Sequence, residues 1–103
     1  MKCGHNKKTR EDYKQQARVH KALANEGRLM IVDCLRDCEC SVGELTRALG
    51  LDQSTVSKHL AVLLGAGIVE NRKAGASIFY RLLTPCVLDV FACTSQVLKF
   101  WKR

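Results

Sequence analysis

A run of hydrogen-bonding side chains lies between residues 53 and 59, where the pattern predicts the start of a helix. Amide, hydroxyl, ammonium and imidazole groups bond to the base edges and phosphates of DNA. The amide of Gln53 suits adenine, and the methyl group of Thr55 suits thymine. The candidate DNA-binding residues of this run are Gln53, Ser54, Thr55, Ser57, Lys58 and His59.

Six cysteines supply a second kind of chemistry. Thiolates bind soft metal ions and undergo oxidation, so cysteines in a reducing compartment favour metal or redox chemistry over a disulfide framework. Cys38 and Cys40 lie two residues apart, within reach of one soft ion, although two idle thiols in a polar loop explain them equally well. Cys86 and Cys93 share one face of a predicted final helix, roughly 10 Å apart. To hold one ion, this second pair needs a further thiol from another helix or from a second subunit. The alternative is that both cysteines are small residues packed in a seam between helices.

The polar run requires a helix that presents it outward, and the residues before it predict one. Ser41 and Glu44 fit a capping box, Gly50 suits a left-handed helix end, and Asp52 suits the cap of the next helix. Two short helices joined in this way are typical of a helix-turn-helix. The predicted inward-facing residues are Val42, Leu45, Ala48, Leu49, Val56, Leu60, Leu63 and Leu64.

The segments that follow complete a winged helix-turn-helix. Two strands are predicted over residues 68–73 and 77–81, with Gly75 free to adopt a positive φ in the loop between them. Arg72 and Lys73 flank the tip of this hairpin, the wing, where contact with phosphate or the minor groove is expected. Further helices are predicted from Thr9, over residues 25–36, and over residues 86–101. The expected fold is mostly α, with about five helices and a two-stranded wing.

The final helix repeats apolar residues at steps of four and three, which is a seam pattern. The seam residues are Cys86, Val90, Cys93, Val97 and Phe100. We therefore expect a homodimer through the terminal helices, with two recognition helices set for an imperfect palindrome in double-stranded DNA. The predicted domain boundaries are a flexible basic tail, residues 1–8, and a DNA-binding and dimerisation domain, residues 9–103.

Composition limits the possible classes of function. Seventeen Lys and Arg residues against ten Asp and Glu give a net charge of +7, which favours a polyanionic partner. No apolar run reaches the roughly 18 residues of a membrane span, and the polar N-terminus is unlike a secretory signal. We expect a cytoplasmic protein with no membrane partner. No pairing of acid, base and nucleophile stands out, so we do not expect an enzyme.

The sequence with these elements resembles the arsenic-resistance repressor (ArsR/SmtB) family. The resemblance runs through residues 22–29, 41–45, 53–63 and 66–82 in unbroken order. It implies a homodimeric repressor that leaves DNA when an inducer binds, without a constitutive cofactor. The inducers of this family are usually thiophilic or borderline metal ions, and some members sense persulfide or oxidants through cysteine pairs.

One departure from the family pattern concerns the inducer site. Arsenic and cadmium sensors often carry Cys-Val-Cys-Asp-Leu where this chain has Ser-Val-Gly-Glu-Leu over residues 41–45. The resemblance offers Cys3 as an extra ligand from the tail. It also offers Cys34 with Cys93 as a redox pair, although the register matches only loosely. The final helix has Asp89 and no histidine, which disfavours zinc, nickel or cobalt there.

Three functions remain open on the sequence alone. The first is a repressor released by a thiophilic inducer, As(III) or Cd(II), that binds cysteines. The second is a thiol redox or persulfide switch on the same scaffold. The third is a cytosolic metal-buffering protein, which the polar face of the recognition helix disfavours because buffering does not need it.

Overall fold

The structure, a computed structural model, describes residues 7–102, so most of the predicted basic tail, including Cys3, lies outside the described residues. Five α-helices, one short 3-10 helix and three strands follow one another along this part of the chain. In chain order they are α1 (Arg10–Leu23), α2 (Glu26–Cys34), β1 (Cys40–Ser41), α3 (Val42–Leu49), α4 (Gln53–Gly65), β2 (Val69–Ala74), β3 (Ser77–Leu82), the 3-10 helix (Pro85–Leu88) and α5 (Asp89–Trp101).

Side-chain caps set the start of the first four helices, as the sequence predicts for three of them. Thr9 begins α1 with a capping box, and Asn25 begins α2 by accepting from a backbone amide in its first turn. Ser41 and Glu44 cap α3 reciprocally, at 3.1 and 2.9 Å. Gly50 then ends α3 with φ of 68°, a left-handed conformation that costs glycine little. Together these local signals place α4 directly behind a tight turn.

The wing contains a third strand that the sequence analysis missed. The antiparallel sheet has the order β1-β3-β2, and Cys40 pairs with Tyr80 while Ser41 pairs with Phe79. A two-residue strand is too short to show a periodic pattern, and its partner lies 40 positions further along the chain. The polar loop expected around Cys38 and Cys40 therefore ends in a buried residue, Cys40, which belongs to the sheet of the wing.

The core lies where α2, α3 and α4 meet the base of the wing. Its members are Ala22, Leu23, Ile31, Val32, Leu35, Cys40, Leu45, Val56, Leu60, Leu63, Ile68 and Val69. The prediction of an inward-facing position is wrong for two residues, because Ala48 is exposed and Leu64 is 39% exposed. The buried positions of α4 follow steps of four and three from Val56, and Leu64 lies about 100° round the helix from Leu63.

The final helix begins later than predicted. Thr84 makes no side-chain cap bond, and Pro85 opens a 3-10 turn that holds Cys86, so α5 begins only at Asp89. Cys86 therefore belongs to the 3-10 turn and Cys93 to α5, so the prediction that both lie on one continuous α-helix is wrong.

The two terminal helices remain largely exposed, although Phe91 of α5 packs against the core. None of the α5 residues that the structure describes is buried, and α1 buries only Ala22 and Leu23 at its end. Large apolar side chains stand exposed on both helices, namely Tyr13, Val19, Val97, Leu98, Phe100 and Trp101. Between residues 7 and 102, no helix has both the length and the hydropathy that a membrane span requires.

Candidate nucleic-acid interface and thiol groups

The N-terminal half of α4 presents one continuous polar face. Gln53, Ser54, Ser57 and Lys58 are all exposed. They share one side of the helix because residues three and four apart lie above one another. This face follows the tight turn after α3, the arrangement in which a recognition helix enters the major groove with its first turns. Four of the six predicted residues of this run therefore stand together as expected.

The Asp52 carboxylate organises the first turn of α4. It accepts hydrogen bonds from the Thr55 amide at 2.8 Å, the Ser54 hydroxyl at 2.8 Å and the Thr55 hydroxyl at 3.0 Å. These bonds, with that of the Thr55 amide first, lower the pKa of Asp52. Because both hydroxyl protons are directed at Asp52, the exposed Ser54 hydroxyl presents acceptor lone pairs outward, where they suit donors on DNA such as the amino groups of adenine and cytosine. Thr55 is half-buried and does not stand on the exposed face.

His59 faces the body of the protein instead of the open face. It is half-buried, and Arg28 of α2 donates to its Nδ1 across 3.4 Å. Its ring also covers Gly27, where an added Cβ would lie 2.7 Å from His59 Nε2. Arg28 is itself fixed by a 2.6 Å bond from its Nε to the carbonyl of Ala22. The structure therefore places His59 as a link between α4 and α2, away from the other predicted DNA-binding residues.

Arg72 and Lys73 stand side by side on β2 and point to opposite faces of the wing, because side chains alternate along a strand. Arg72 donates from Nε to both carboxylate oxygens of Glu39 at 3.0 Å, and its Nη2 also bonds Glu39. Its guanidinium carbon lies 5.3 Å from the ring centre of Phe79. The hydrogen bonds from Arg72 lower the pKa of Glu39 and raise that of Arg72. Arg72 is thus held in place, whereas Lys73 extends into solvent.

Three thiols gather where α2 leads into β1. Cys34 ends α2 and is half-buried, and Cys38 is exposed. Cys40 in β1 is buried, with only 8% of its surface exposed. The Cys40 thiol points towards the carbonyl of Cys38 at 3.8 Å. Burial raises the pKa of Cys40 to about 12, with smaller contributions from the neighbouring Cys38 and Cys34 thiols. Cys38 thus lies in the connection between the end of α2, which holds Cys34, and β1, which holds Cys40.

The remaining described thiols stand apart from this group. Cys86 lies on the 3-10 turn and Cys93 on α5, and both are exposed. The five cysteines that the structure describes are all free thiols. Over residues 7–102, no three His, Cys, Asp or Glu side chains are arranged to share a metal ion.

The chain is similar in sequence and in fold to known transcriptional regulators. A profile described as "Bacterial regulatory protein, arsR family" matches residues 25–71. A biofilm growth-associated repressor from Xylella fastidiosa is 45% identical over 78 residues, which cover 72% of this chain and 68% of the relative. The chain belongs to the arsR family. It is therefore a DNA-binding transcriptional regulator with a winged helix-turn-helix fold, and the relatives it matches are transcriptional regulators, not enzymes.

Other arsR-family relatives agree in fold and in sequence. The transcriptional activator HlyU of Vibrio cholerae is 52% identical over 62 residues, which span 57% of its length. The structure of reduced HlyU superimposes with a TM-score of 0.74 at 38% identity, over 84% of this chain and 92% of that one. A winged helix-turn-helix domain from Mycobacterium bovis, described as homodimeric, gives a TM-score of 0.77 at 35% identity, over 94% and 90% of the chains.

The sequence analysis missed two residues that organise this interface. Glu39 lies between the two cysteines of the expected polar loop, yet it pairs with the predicted wing residue Arg72 from 33 positions away. Arg28 is 31 positions from His59. In the sequence, Arg28 was noted only as part of the stretch that resembles the family. Neither contact has a periodic signal, because both depend on the packing of separate elements.

The difference in burial between Cys38 and Cys40 makes a direct prediction about reactivity. With iodoacetamide at neutral pH, we expect Cys38 to be alkylated at least about tenfold faster than Cys40, because only the thiolate reacts and burial disfavours it. Peptide mass mapping after short exposures measures both rates in the same sample. The protein unfolded in urea is the control, in which the two rates should converge. Equal rates in the folded protein would contradict the buried position of Cys40.

Proposed function

We propose that this protein is a homodimeric transcriptional repressor that binds an imperfect palindromic operator. A thiophilic inducer of the As(III) or Cd(II) class, bound by cysteine thiols, releases it from DNA. The observation that carries the DNA-binding half of this proposal is the exposed polar face of α4 behind a capped turn. The family membership favours a regulator over a metal-buffering protein.

Exposed apolar surface supports the dimer. Val97 is 49% exposed and Trp101 is 75% exposed on α5, and Tyr13 is 46% exposed on α1. Apolar side chains of this size favour burial at roughly 25 cal/mol per Å² of surface removed from water. The related domain from Mycobacterium bovis is described as homodimeric and matches this chain over most of its length. Two copies joined through the terminal helices would present two α4 faces to one duplex.

The donor set supports a soft inducer. Sulfur ligands favour soft ions, whereas oxygen-rich sites favour magnesium, calcium or manganese. Cys38 and Cys40 of one subunit are candidate ligands, supported by their separation of two positions and by the Cys40 thiol directed at the Cys38 carbonyl. Cys86 and Cys93 remain candidates through a second subunit, because both are exposed on the segments proposed to form the dimer. The proposal includes no constitutive cofactor.

A redox switch is the second candidate function. One solved structure of the relative HlyU is described as that of the reduced protein. In this chain the candidate redox pair is Cys34 with Cys93, and both are free thiols. Mass measurement after exposure to Cd²⁺, arsenite or a persulfide separates the candidates, since a bound ion and an added sulfur give different masses.

Binding to DNA at several salt concentrations tests the proposal. We expect a duplex selected by the protein from a randomised pool to bind far more tightly than a scrambled duplex of equal length. A dimer that neutralises about six to ten phosphates loses roughly 10³–10⁵ in affinity between about 50 and 200 mM salt, because counterions are released on binding. Fluorescence anisotropy with both duplexes measures the two effects. Equal affinity for both at every salt concentration would contradict a specific repressor.

A further inference from the structure

Arg28, near the start of α2, contacts two other helices through one guanidinium group. Its Nε donates to the carbonyl of Ala22 at the end of α1, at 2.6 Å. Its Nη1 donates to Nδ1 of His59 on α4, across 3.4 Å. The carbonyl end of a helix is its negative end, so a cation suits the position beside Ala22. Arg28 therefore connects the end of α1 to the recognition helix.

The rest of α1 lies largely outside the core. Its last two residues are buried, and every residue of α1 before them is exposed. A cleft of about 610 Å³ lies between α1 and the second half of α4. Val19 and Val62 line this cleft on its two sides and are 37% and 42% exposed, so it is open to solvent and not filled by packed side chains. Packing alone therefore does little to fix the direction of α1 relative to α4.

Gly27 makes room for the His59 ring. It is buried, and a Cβ added there would lie 2.7 Å from Nε2 and 2.9 Å from Cδ2 of His59. Its φ is not positive, so the backbone at this position does not itself require glycine. What the position requires is the absence of a side chain. Gly27 thus allows the ring to lie where Arg28 reaches it.

The hydrogen bond from Arg28 also fixes the proton of the His59 ring. A guanidinium group has donors only, so Nδ1 of His59 accepts with a lone pair and the ring proton resides on Nε2. The ring is therefore neutral in this arrangement, and no repulsion between two cations opposes the contact.

We propose that Arg28 is a positioning residue that fixes the direction of α4 relative to α1 through His59, and so sets the half-site spacing that the dimer accepts. This inference rests on the proposed function, in which the terminal helices join the subunits. Two recognition helices enter successive major grooves only when they are held about one turn of DNA apart, roughly 34–36 Å. A change in the direction of α4 within each subunit alters that separation. In this scheme neither Arg28 nor His59 contacts DNA.

The test uses the full-length protein and a palindromic duplex that the protein has selected from a randomised pool. Two further duplexes have one base pair removed or inserted at the centre, which moves the half-sites by about 3.4 Å and turns them by about 35°. Fluorescence anisotropy measures the three affinities, and the ratio of selected to altered duplex is the spacing preference. Wild-type protein should show a preference of about tenfold or more, because binding to an altered duplex requires the DNA to deform.

Arg28→Lys keeps the positive charge but removes the planar fork that reaches two acceptors at once. Its spacing preference should fall to about threefold or less, because a less rigid dimer requires less deformation of the DNA. The matched control is Arg36→Lys, the same change at an exposed arginine just after α2 that pairs with Asp33. This control should keep the full preference. If Arg28 acted only as a charge near phosphate, Arg28→Lys would keep it too.

Two replacements of His59 test the acceptor. His59→Asn places a carbonyl oxygen near the position of Nδ1 and should retain a spacing preference of about fivefold or more, because Arg28 still finds an acceptor. His59→Leu has no acceptor and should show about threefold or less. Rescue by asparagine separates the hydrogen bond from the bulk of the ring.

Gly27→Ala separates positioning from stability. Alanine favours a helix more than glycine does, so the urea midpoint should not fall appreciably. The new Cβ displaces the His59 ring from Arg28, so the spacing preference should fall as it does in Arg28→Lys. Full spacing preference in either Gly27→Ala or Arg28→Lys would overturn the inference, as would an equal loss in Arg36→Lys.

Failure of the proposed function is recognised separately, by wild-type protein that binds all three duplexes equally. Nitrogen-15 NMR of the histidine rings then still decides whether Arg28 holds His59. Nδ1 of His59 should be unprotonated in the wild-type protein, and its signal should shift in Arg28→Lys but not in Arg36→Lys. An unchanged His59 signal in Arg28→Lys would contradict the link whatever the DNA measurements show.

Discussion

Replacing Lys58 by alanine should weaken binding to every duplex by a similar factor, whereas replacing Gln53 should weaken only binding to the preferred duplex. Both side chains are exposed on the polar face of α4, but an ammonium group on a phosphate is indifferent to sequence. A bidentate amide–base contact is worth about 1–3 kcal/mol of discrimination. We therefore expect Gln53→Ala to cost roughly 5- to 150-fold on the selected duplex and little on a scrambled one.

The salt dependence gives Lys58→Ala its own signature. Losing one phosphate contact should reduce the slope of log affinity against log salt by about 1. Anisotropy titrations of both duplexes at several salt concentrations measure affinity, selectivity and slope together. Lys14→Ala is the matched control, because it removes the same charge from the exposed surface of α1. If Lys14→Ala and Lys58→Ala behave alike, α4 does not have the special role assigned to it.

Local signals account for the part of the interface that the sequence predicted well. The capping box of Ser41 and Glu44 and the cap at Asp52 depend on residues three positions apart, so the chain displays them directly. Gly50 adds a backbone conformation that few other residues adopt. These short-range features fix where α4 begins. The beginning of α4 in turn determines which side chains form its polar face.

Long-range contacts account for what the sequence did not predict. The pairing of Cys40 with Tyr80 and the ion pair of Glu39 with Arg72 join segments more than 30 positions apart. A pattern of polar residues between two helices contains no trace of either partner. His59 shows the same limit, because its hydrogen-bonding side chain looks suited to DNA until α2 is packed beside it.

The cysteines show how burial changes a prediction made from spacing. Two thiols separated by one residue suggest a matched pair of ligands, yet β1 buries Cys40 and leaves Cys38 in solvent. Likewise, the heptad spacing of Cys86 and Cys93 has meaning only within one continuous helix, and the 3-10 turn at Pro85 interrupts it. In both cases a short element, β1 or the 3-10 turn, determines how the thiols are placed, and such an element is too short to show a periodic pattern in the sequence.

Two adjacent leucines of α4 should differ strongly in their effect on stability. Leu63 is fully buried among the core residues, whereas Leu64 is 39% exposed. Leu63→Ala removes buried methyl groups and leaves a cavity, which costs about 2–5 kcal/mol in the free energy of unfolding. Leu64→Ala removes the same atoms from a partly hydrated site and should cost less than about 1 kcal/mol. Since a small domain has only about 5–15 kcal/mol of stability, the first variant approaches unfolding and the second does not.

Urea unfolding followed by circular dichroism measures both changes. All variants are compared at one subunit concentration, because association of subunits shifts the apparent stability. The slope against urea should stay constant, so that a lower midpoint reports stability and not a change in the unfolded state. Similar losses in the two variants would mean that the sequence analysis was right to place Leu64 inside. It would follow that a surface beyond the single chain covers Leu64, because the described residues leave it open to solvent.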